Sequence, residues 1–324
     1  MVLDIHGSLG VLVGFDGSDH ATRALRWSAV EARRHGLPIT VITAFTVPRA
    51  IAGYTDSVTE VTGDTLARRG AEATLDSARE ILKDFPGEAQ FHVEYGDAAG
   101  VMVAHSSNAE LAVVGARGRG GFIGRVLGSV ASALPSHAAC PTVVIDKNYD
   151  LTTGDDPWLS NDERPVTVGM DSSHGAKLAA LKAAEVAAAH HVPLRVVMGA
   201  PPLDGALLWY PELGPREDEH NQRRRELEDR LQVIVRWLSE HFENLVISCA
   251  VVDGLPVEVL REETQISQLT VVGTRGRGGI ASALLGSTSS SLLMHADGPV
   301  MVVPEADDPR LPEEEHPAAR KAAH

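Results

Sequence analysis

The sequence predicts an α/β protein of two tandem domains, each a doubly wound parallel sheet with helices on both faces. Three observations carry that prediction. The chain is written twice. "GVLVGFDGS" at Gly10–Ser18 returns as "PVTVGMDSS" at Pro165–Ser173, and "LPITVITAF" from Leu37 returns as "VPLRVVMGA" ending at Ala200. "AELAVVGARGRGG" returns as "SQLTVVGTRGRGG", and "HAACPTVVI" as "HADGPVMVV", always in the same order and at an offset between 155 and 158 residues. That is the pattern of a duplicated domain. Within each copy, short apolar runs alternate with longer helical stretches, the sequence rhythm of an α/β fold. The runs themselves, such as "LAVVG" and "TVVI", are apolar throughout rather than alternating, as expected of parallel strands covered on both faces.

In the first copy the strands read as residues 9–15, 39–45, 90–95, 110–115 and 142–146, with helices over 19–35, 64–84, 98–107 and 125–138. The domain boundaries that follow are 8–146 and 163–304. Residues 147–162 between them are polar and turn-rich, as a linker is. The charged, Pro-containing tail 305–324 is expected to be disordered. A doubly wound sheet takes its ligand at the carboxyl ends of its strands, where strand order reverses. Both repeated turns, the Gly-x-Asp-x-Ser turn and the glycine-arginine loop, follow strands and so meet at that edge.

Composition removes several classes of function. A formal net charge of −15 leaves no basic footprint for nucleic acid. Aromatic residues make up only 4%, too few for a stacking platform. Cys140 and Cys249 fit no metal spacing and no disulfide framework, which suits a reducing compartment. The first residues lack a signal-peptide pattern, and no uncharged stretch approaches the ~20 apolar residues of a membrane helix. The expectation is a soluble, cytoplasmic protein with no membrane partner.

The loop itself reads G-x-x-G, nine residues, then G-S: Gly115, Gly118, Gly128 and Ser129, repeated as Gly273, Gly276, Gly286 and Ser287. Glycines let backbone N–H groups turn inward and let a ligand approach without a Cβ. The Gly-Ser pair opens a helical run, so Ser129 and Ser287 are candidate caps, and the helix N-terminus is a candidate anion site. Arg117, Arg119, Arg275 and Arg277 add cations, producing a local phosphate site on an acidic protein. No G-x-x-x-x-G-K-[ST] occurs, and the first turns, "GFDGS" and "GMDSS", lack G-x-G-x-x-G. Asp16 has a competing use as a helix cap, but Asp19 is the better cap by position, which leaves Asp16 for a ligand.

The strand ending in Gly-x-Asp-x-Ser, the G-2x-G-9x-G-S loop and the Cys-Pro or Gly-Pro before the last strand together resemble the universal stress protein family. The resemblance covers about residues 8–146 and 163–304 and is strongest to the tandem-domain members of actinobacteria. It implies a Rossmann-like, adenine nucleotide alpha hydrolase-like fold with five strands in the order 3-2-1-4-5 in each domain. It also implies bound ATP, with Mg²⁺ held through the nucleotide phosphates. By motif, Asp16 and Asp171 would contact the nucleoside or a phosphate-bound metal, and Gly14 and Gly169 would allow close approach. Ala44 and Ala200 would meet the adenine edge through their backbone. Residues Gly115, Ala116, Arg117, Gly118, Arg119, Gly120 and Gly121 would wrap ribose and phosphate, as would Gly273, Thr274, Arg275, Gly276, Arg277, Gly278 and Gly279. Gly128, Ser129 and Val130, with Gly286, Ser287 and Thr288, would close over the phosphates.

Two classes of function are compatible with such a site: a nucleotide-binding stress-response regulator, and a slow ATP-hydrolysing or phosphotransfer enzyme. Hydrolysis needs an oriented water and charge stabilisation at the γ-phosphate, and the loop motif contains no Glu, Gln or His. His137 and His295 recur in both copies, but each ends a helix, where a cation is favoured. The regulator is the favoured reading, with an unidentified protein partner. The final apolar strands, 142–146 and 300–304, would be aggregation-prone as bare edges. They are therefore expected to pair as an intrachain pseudo-dimer, with chain dimers as a further expectation. Ser or Lys substitutions at Val143 and Val302 are expected to loosen that pairing and increase protease cutting near Trp158 in the linker.

Overall fold

The computed structural model describes residues 8–47, 57–119, 126–146, 149–151, 153–201, 217–276 and 285–311, with side chains in the two long helices from 63 and from 221. They divide into two compact units, Met1–Asp162 and Glu163–His324.

The first unit runs β1 (Val11–Gly14), α1 (Asp19–His35), β2 (Ile39–Phe45), α2 (Ser57–Ile81), β3 (Ala89–Tyr95), α3 (Ala98–His105), β4 (Leu111–Gly115), α4 (Ser129–His137) and β5 (Thr142–Ile145). All strand pairs are parallel and their order is β3-β2-β1-β4-β5. The second unit repeats this with β6 (Val166–Gly169), α5 (His174–His190), β7 (Leu194–Ala200), α6 (Glu217–His241), β8 (Ile247–Asp253), α7 (Pro256–Ile266), β9 (Leu269–Gly273), α8 (Ser287–His295) and β10 (Val300–Val303). Its order is β8-β7-β6-β9-β10, again all parallel. Each unit thus has the 3-2-1-4-5 arrangement that the resemblance implies.

The continuous apolar runs are buried strands. Val11, Leu12 and Val13 of β1, and Val166 and Val168 of β6, are at most 1% exposed. No described helix is long and apolar enough to cross a membrane.

The local signals need two corrections. Ser18, not Asp19, caps α1: its hydroxyl accepts the Ala21 N–H at 3.2 Å, and Asp19 is the first helical residue. Ser173 does the same for α5. An N-cap needs an extended backbone, and Ser18 has it at φ −74°, ψ 163°. Helix α2 also begins at Ser57, seven residues before the sequence pattern suggests.

The expected linker is not a free tether. Trp158 is only 9% exposed and meets Phe85 edge-to-face at 5.5 Å, and Tyr149 is 6% exposed. Arg33 of α1 donates to Asp156 at 2.6 Å. The described start of the expected disordered tail is likewise packed. Leu311 is 3% exposed, Arg310 bridges Asp308 and Glu185, and Trp237 donates to the Arg310 carbonyl.

These two segments are a further repeat, "DDPWL" at 155–159 and "DDPRL" at 307–311. In both, the second Asp accepts the N–H two residues on at 2.9 Å, and its carbonyl accepts the N–H of the Leu. Each domain therefore closes with a clasp laid on its own helices. The rest of the tail, from 312, lies outside the described residues.

Candidate functional site

At the carboxyl edge of the first sheet lies a cavity of about 510 Å³. Its floor is the end of β1 (Gly14, Phe15, Asp16), one side is the end of β2, and the other is the loop after β4 with the start of α4. The second unit has the equivalent cavity, about 410 Å³. The crossover helices α1 and α5 rise from the turns after β1 and β6, and this opens the crevice between diverging connections.

The Asp of the first turn organises the loop. Asp16 Oδ1 accepts the Ser18 N–H at 3.0 Å, and Oδ2 accepts the Arg119 N–H at 2.9 Å, 103 positions along the chain. Ser18 Oγ donates to the Arg117 carbonyl at 3.4 Å. A Cβ on Gly118 would stand 2.5 Å from Asp16 Oδ2, and a Cβ on Gly276 would collide with Asp171 Oδ2. These glycines thus admit the carboxylate rather than keeping room for a ligand alone. Asp171 Oδ1 repeats the bond to Ser173 N at 3.0 Å.

Gly115 and Gly273 serve packing. A Cβ there would lie 2.6 Å from His20 and 2.7 Å from the carbonyl carbon of Gly175, at the first turns of α1 and α5. Gly14 and Gly169 likewise seat Met102 of α3 and Leu260 of α7 against the strand end while lining the cavities.

The helix that closes each loop is open at its N-terminus. The N-caps of α4 and α8 are Gly128 and Gly286, with no side-chain cap. Ser129 and Ser287 are first helical residues and not the caps that the sequence suggests. Gly128 N donates to Ala116 O at 2.9 Å and Gly286 N to Thr274 O at 2.7 Å, which pins the loop under the helix. First-turn residues Ser129, Val130 and Ala131 line the first cavity, and Ser287, Thr288 and Ser289 the second. Uncapped first-turn N–H groups with the positive end of the helix dipole favour an anion there.

The arginines divide. Arg117 and Arg119 line the first cavity, and Arg119 Nη2 donates to Thr74 Oγ1 of α2 at 3.2 Å. Arg275 lines the second while pairing with Glu305 at 3.3 Å. His137 and His295 each contact a carbonyl one turn back, at 2.9 and 2.8 Å, and neither is among the described residues that line these two cavities.

Of the other sequence-selected residues, Ala44 lines the first cavity, and Ala116 and Thr274 sit buried behind the loops. Gly120, Gly121, Arg277, Gly278 and Gly279 lie outside the described residues. Ala200 is a correction. The strand register pairs Gly14 with Ile42 and Gly169 with Val197, so the counterpart of Ala44 is Gly199, which lines the second cavity. The Ala200 carbonyl is taken by the Gly254 N–H at 3.0 Å, as Phe45 O is by Gly96 N. The sequence gives no sign of the walls contributed by α2, α3, α6 and α7: Gly70, Ala71, Thr74 and Met102 in the first cavity, Arg223, Leu227 and Leu260 in the second. Those helices are not similar in sequence, and only packing shows which of their faces looks inward.

The model of the Universal stress protein family matches residues 10–146 and 163–304. A universal stress protein of Mycolicibacterium smegmatis is 31% identical over 308 residues, covering 91% of this chain and 96% of that one. A Mycobacterium tuberculosis universal stress protein is 31% identical over 310 residues, covering 93% and 98%. Among solved structures, a universal stress protein from Archaeoglobus fulgidus superposes with a TM-score of 0.64 at 18% identity, covering 93% of this chain and 98% of that one. A functionally unknown protein of Pseudomonas aeruginosa superposes with a TM-score of 0.55 at 15% identity, covering 92% of each. At such identities the structural likeness speaks for the fold alone.

Proposed function

The chain belongs to the universal stress protein family, and from that premise we propose that it is an ATP-binding regulator with one nucleotide site in each domain. Occupancy would change conformation or partner binding rather than drive turnover. The observation that carries this reading is the pairing, in both domains, of an uncapped helix N-terminus with a glycine loop held by the turn after the first strand, through Asp16 and the Arg119 N–H in one and through the Ser173 hydroxyl and the Arg275 carbonyl in the other.

The residues fit the group. The N-termini of α4 and α8, with Arg117 and Arg275, would hold the phosphates. The carboxylates of Asp16 and Asp171 would face a Mg²⁺ bound through those phosphates. The metal would supply charge neutralisation of the phosphate chain. Against turnover, both oxygens of the first-cavity carboxylate are already engaged by backbone N–H groups and hold the loop rather than an attacking water. A protein partner that reads occupancy, and self-association, belong to the same reading.

Titration calorimetry of the full chain with Mg·ATP should give two sites per chain. Gly128→Glu and Gly286→Glu, which put a carboxylate at the phosphate end, should each reduce that to one. A Cβ at Gly128 meets nothing closer than 3.5 Å, so the variant can fold. Absence of binding in the wild type overturns the nucleotide assignment. Turnover near ~10 s⁻¹, the median for enzymes, in a phosphate-release assay and lost in the double variant, would overturn the regulator reading.

A further inference from the structure

The two cavities share one end and differ at the other. The shared end is the loop and the uncapped helix: Gly118, Gly128 and Ser129 have identical counterparts in Gly276, Gly286 and Ser287. The opposite end lies over β2 and β7, across β1 and β6 from the loop strands β4 and β9. Two strand spacings put it roughly 10 Å from the loop, the far end for a ligand whose phosphates sit on the helix. There the first cavity has Thr43 from β2 and Ala71 from α2, whereas the second has Met198 from β7 and Leu227 from α6.

Ala71 and Leu227 are structural counterparts. Leu75 and Leu231, each four residues further along its helix, are both fully buried, and Leu82 and Leu238 further on are buried as well. The second cavity is also smaller, about 410 Å³ against about 510 Å³, so about 100 Å³ less. Arg223, whose Nη1 donates to the Pro201 carbonyl at 3.3 Å, stands on the same wall.

We propose that the two sites select different nucleotides: the first admits a nucleotide enlarged at its base, and the second, closed by Leu227 and Met198, takes only one of unmodified size. This rests on the nucleotide reading above. Selection of this kind follows because phosphate-end contacts are common to both ligands, and discrimination then falls to steric exclusion at the base end.

The test uses the full chain, ATP, and ATP carrying a benzyl group on N6. ATP should fill two sites per chain and the benzyl analogue one. Gly128→Glu should abolish uptake of the analogue, whereas Gly286→Glu should leave it at one. Leu227→Ala should raise the analogue to two sites, and a cooperative thermal melt followed by circular dichroism shows whether the variant is folded. Equal filling of both sites by the analogue, or no gain in a folded Leu227→Ala chain, overturns the inference and leaves the nucleotide reading standing. Failure of ATP itself to bind overturns both.

Discussion

Replacing Gly118 by Ala would set a methyl carbon 2.5 Å from Asp16 Oδ2, well inside van der Waals contact. The backbone conformation at 118 is not the left-handed one, so strain is not the cause. The carboxylate must move, and what it loses is the Arg119 N–H bond at 2.9 Å that holds the loop over the cavity. A hydrogen bond to a charged group contributes roughly 1.5–3 kcal/mol. Because this one is at the surface, we take about 1.5 kcal/mol, close to tenfold in affinity for a ligand that needs the loop ordered. The assay is calorimetric titration with Mg·ATP in a chain whose second site is blocked by Gly286→Glu. Gly118→Ala should weaken the remaining site about tenfold at that energy. In an Asp16→Ala background, where nothing is left to displace, the same substitution should cost less than about twofold. That coupling is what distinguishes the mechanism, since unconnected effects add. If the two substitutions act additively, Gly118 excludes a side chain on the ligand's account and the reasoning from Asp16 is wrong.

Two further outcomes follow from the packing. Trp158→Ala removes a nearly buried ring from its edge-to-face contact with Phe85. Large-to-small loss plus the aromatic pair should cost the first unit about 3 kcal/mol, read as a melting temperature lower by roughly 10 °C; an unchanged melt would make 149–162 the loose tether that the sequence suggests. The second outcome concerns acid. Burial pushes the His92 imidazole below its usual value, with Glu94 opposing and His105 adding to the shift. The unfolded chain therefore takes up a proton near pH ~6.5 that the folded unit resists, so the contribution of His92 is whole above that pH and is lost as pH falls below it. Hydrogen exchange of β3 should quicken between pH 7 and 5, after correction for intrinsic rates, more steeply in the wild type than in His92→Gln; equal slopes would count against it.

What the sequence determined by itself is whatever is encoded over a few consecutive residues. The duplicated strands, the Gly-x-Asp-x-Ser turn and the loop were legible because strand, turn and helix start are contiguous, and their chemistry travels with them. Sequence position alone misjudged Asp19 and Ser129 by a single residue, because a cap is decided by which residue keeps an extended backbone. The partner of Ala44 was misjudged because register is set by hydrogen bonds to the neighbouring strand, and those identify Gly199.

The clasp at Trp158 escaped because polar, turn-rich composition says nothing about where one indole will pack; its repeat, "DDPRL", becomes visible only once both segments are seen folded. Only the tertiary structure decided the walls of the two cavities. A helix of 25 residues such as α2 or α6 can turn any face inward. The face that lines the site is chosen by which side chains bury against β2, β3, β7 and β8, and so Ala71 and Leu227 meet the ligand space as consequences of Leu75 and Leu231 being in the core.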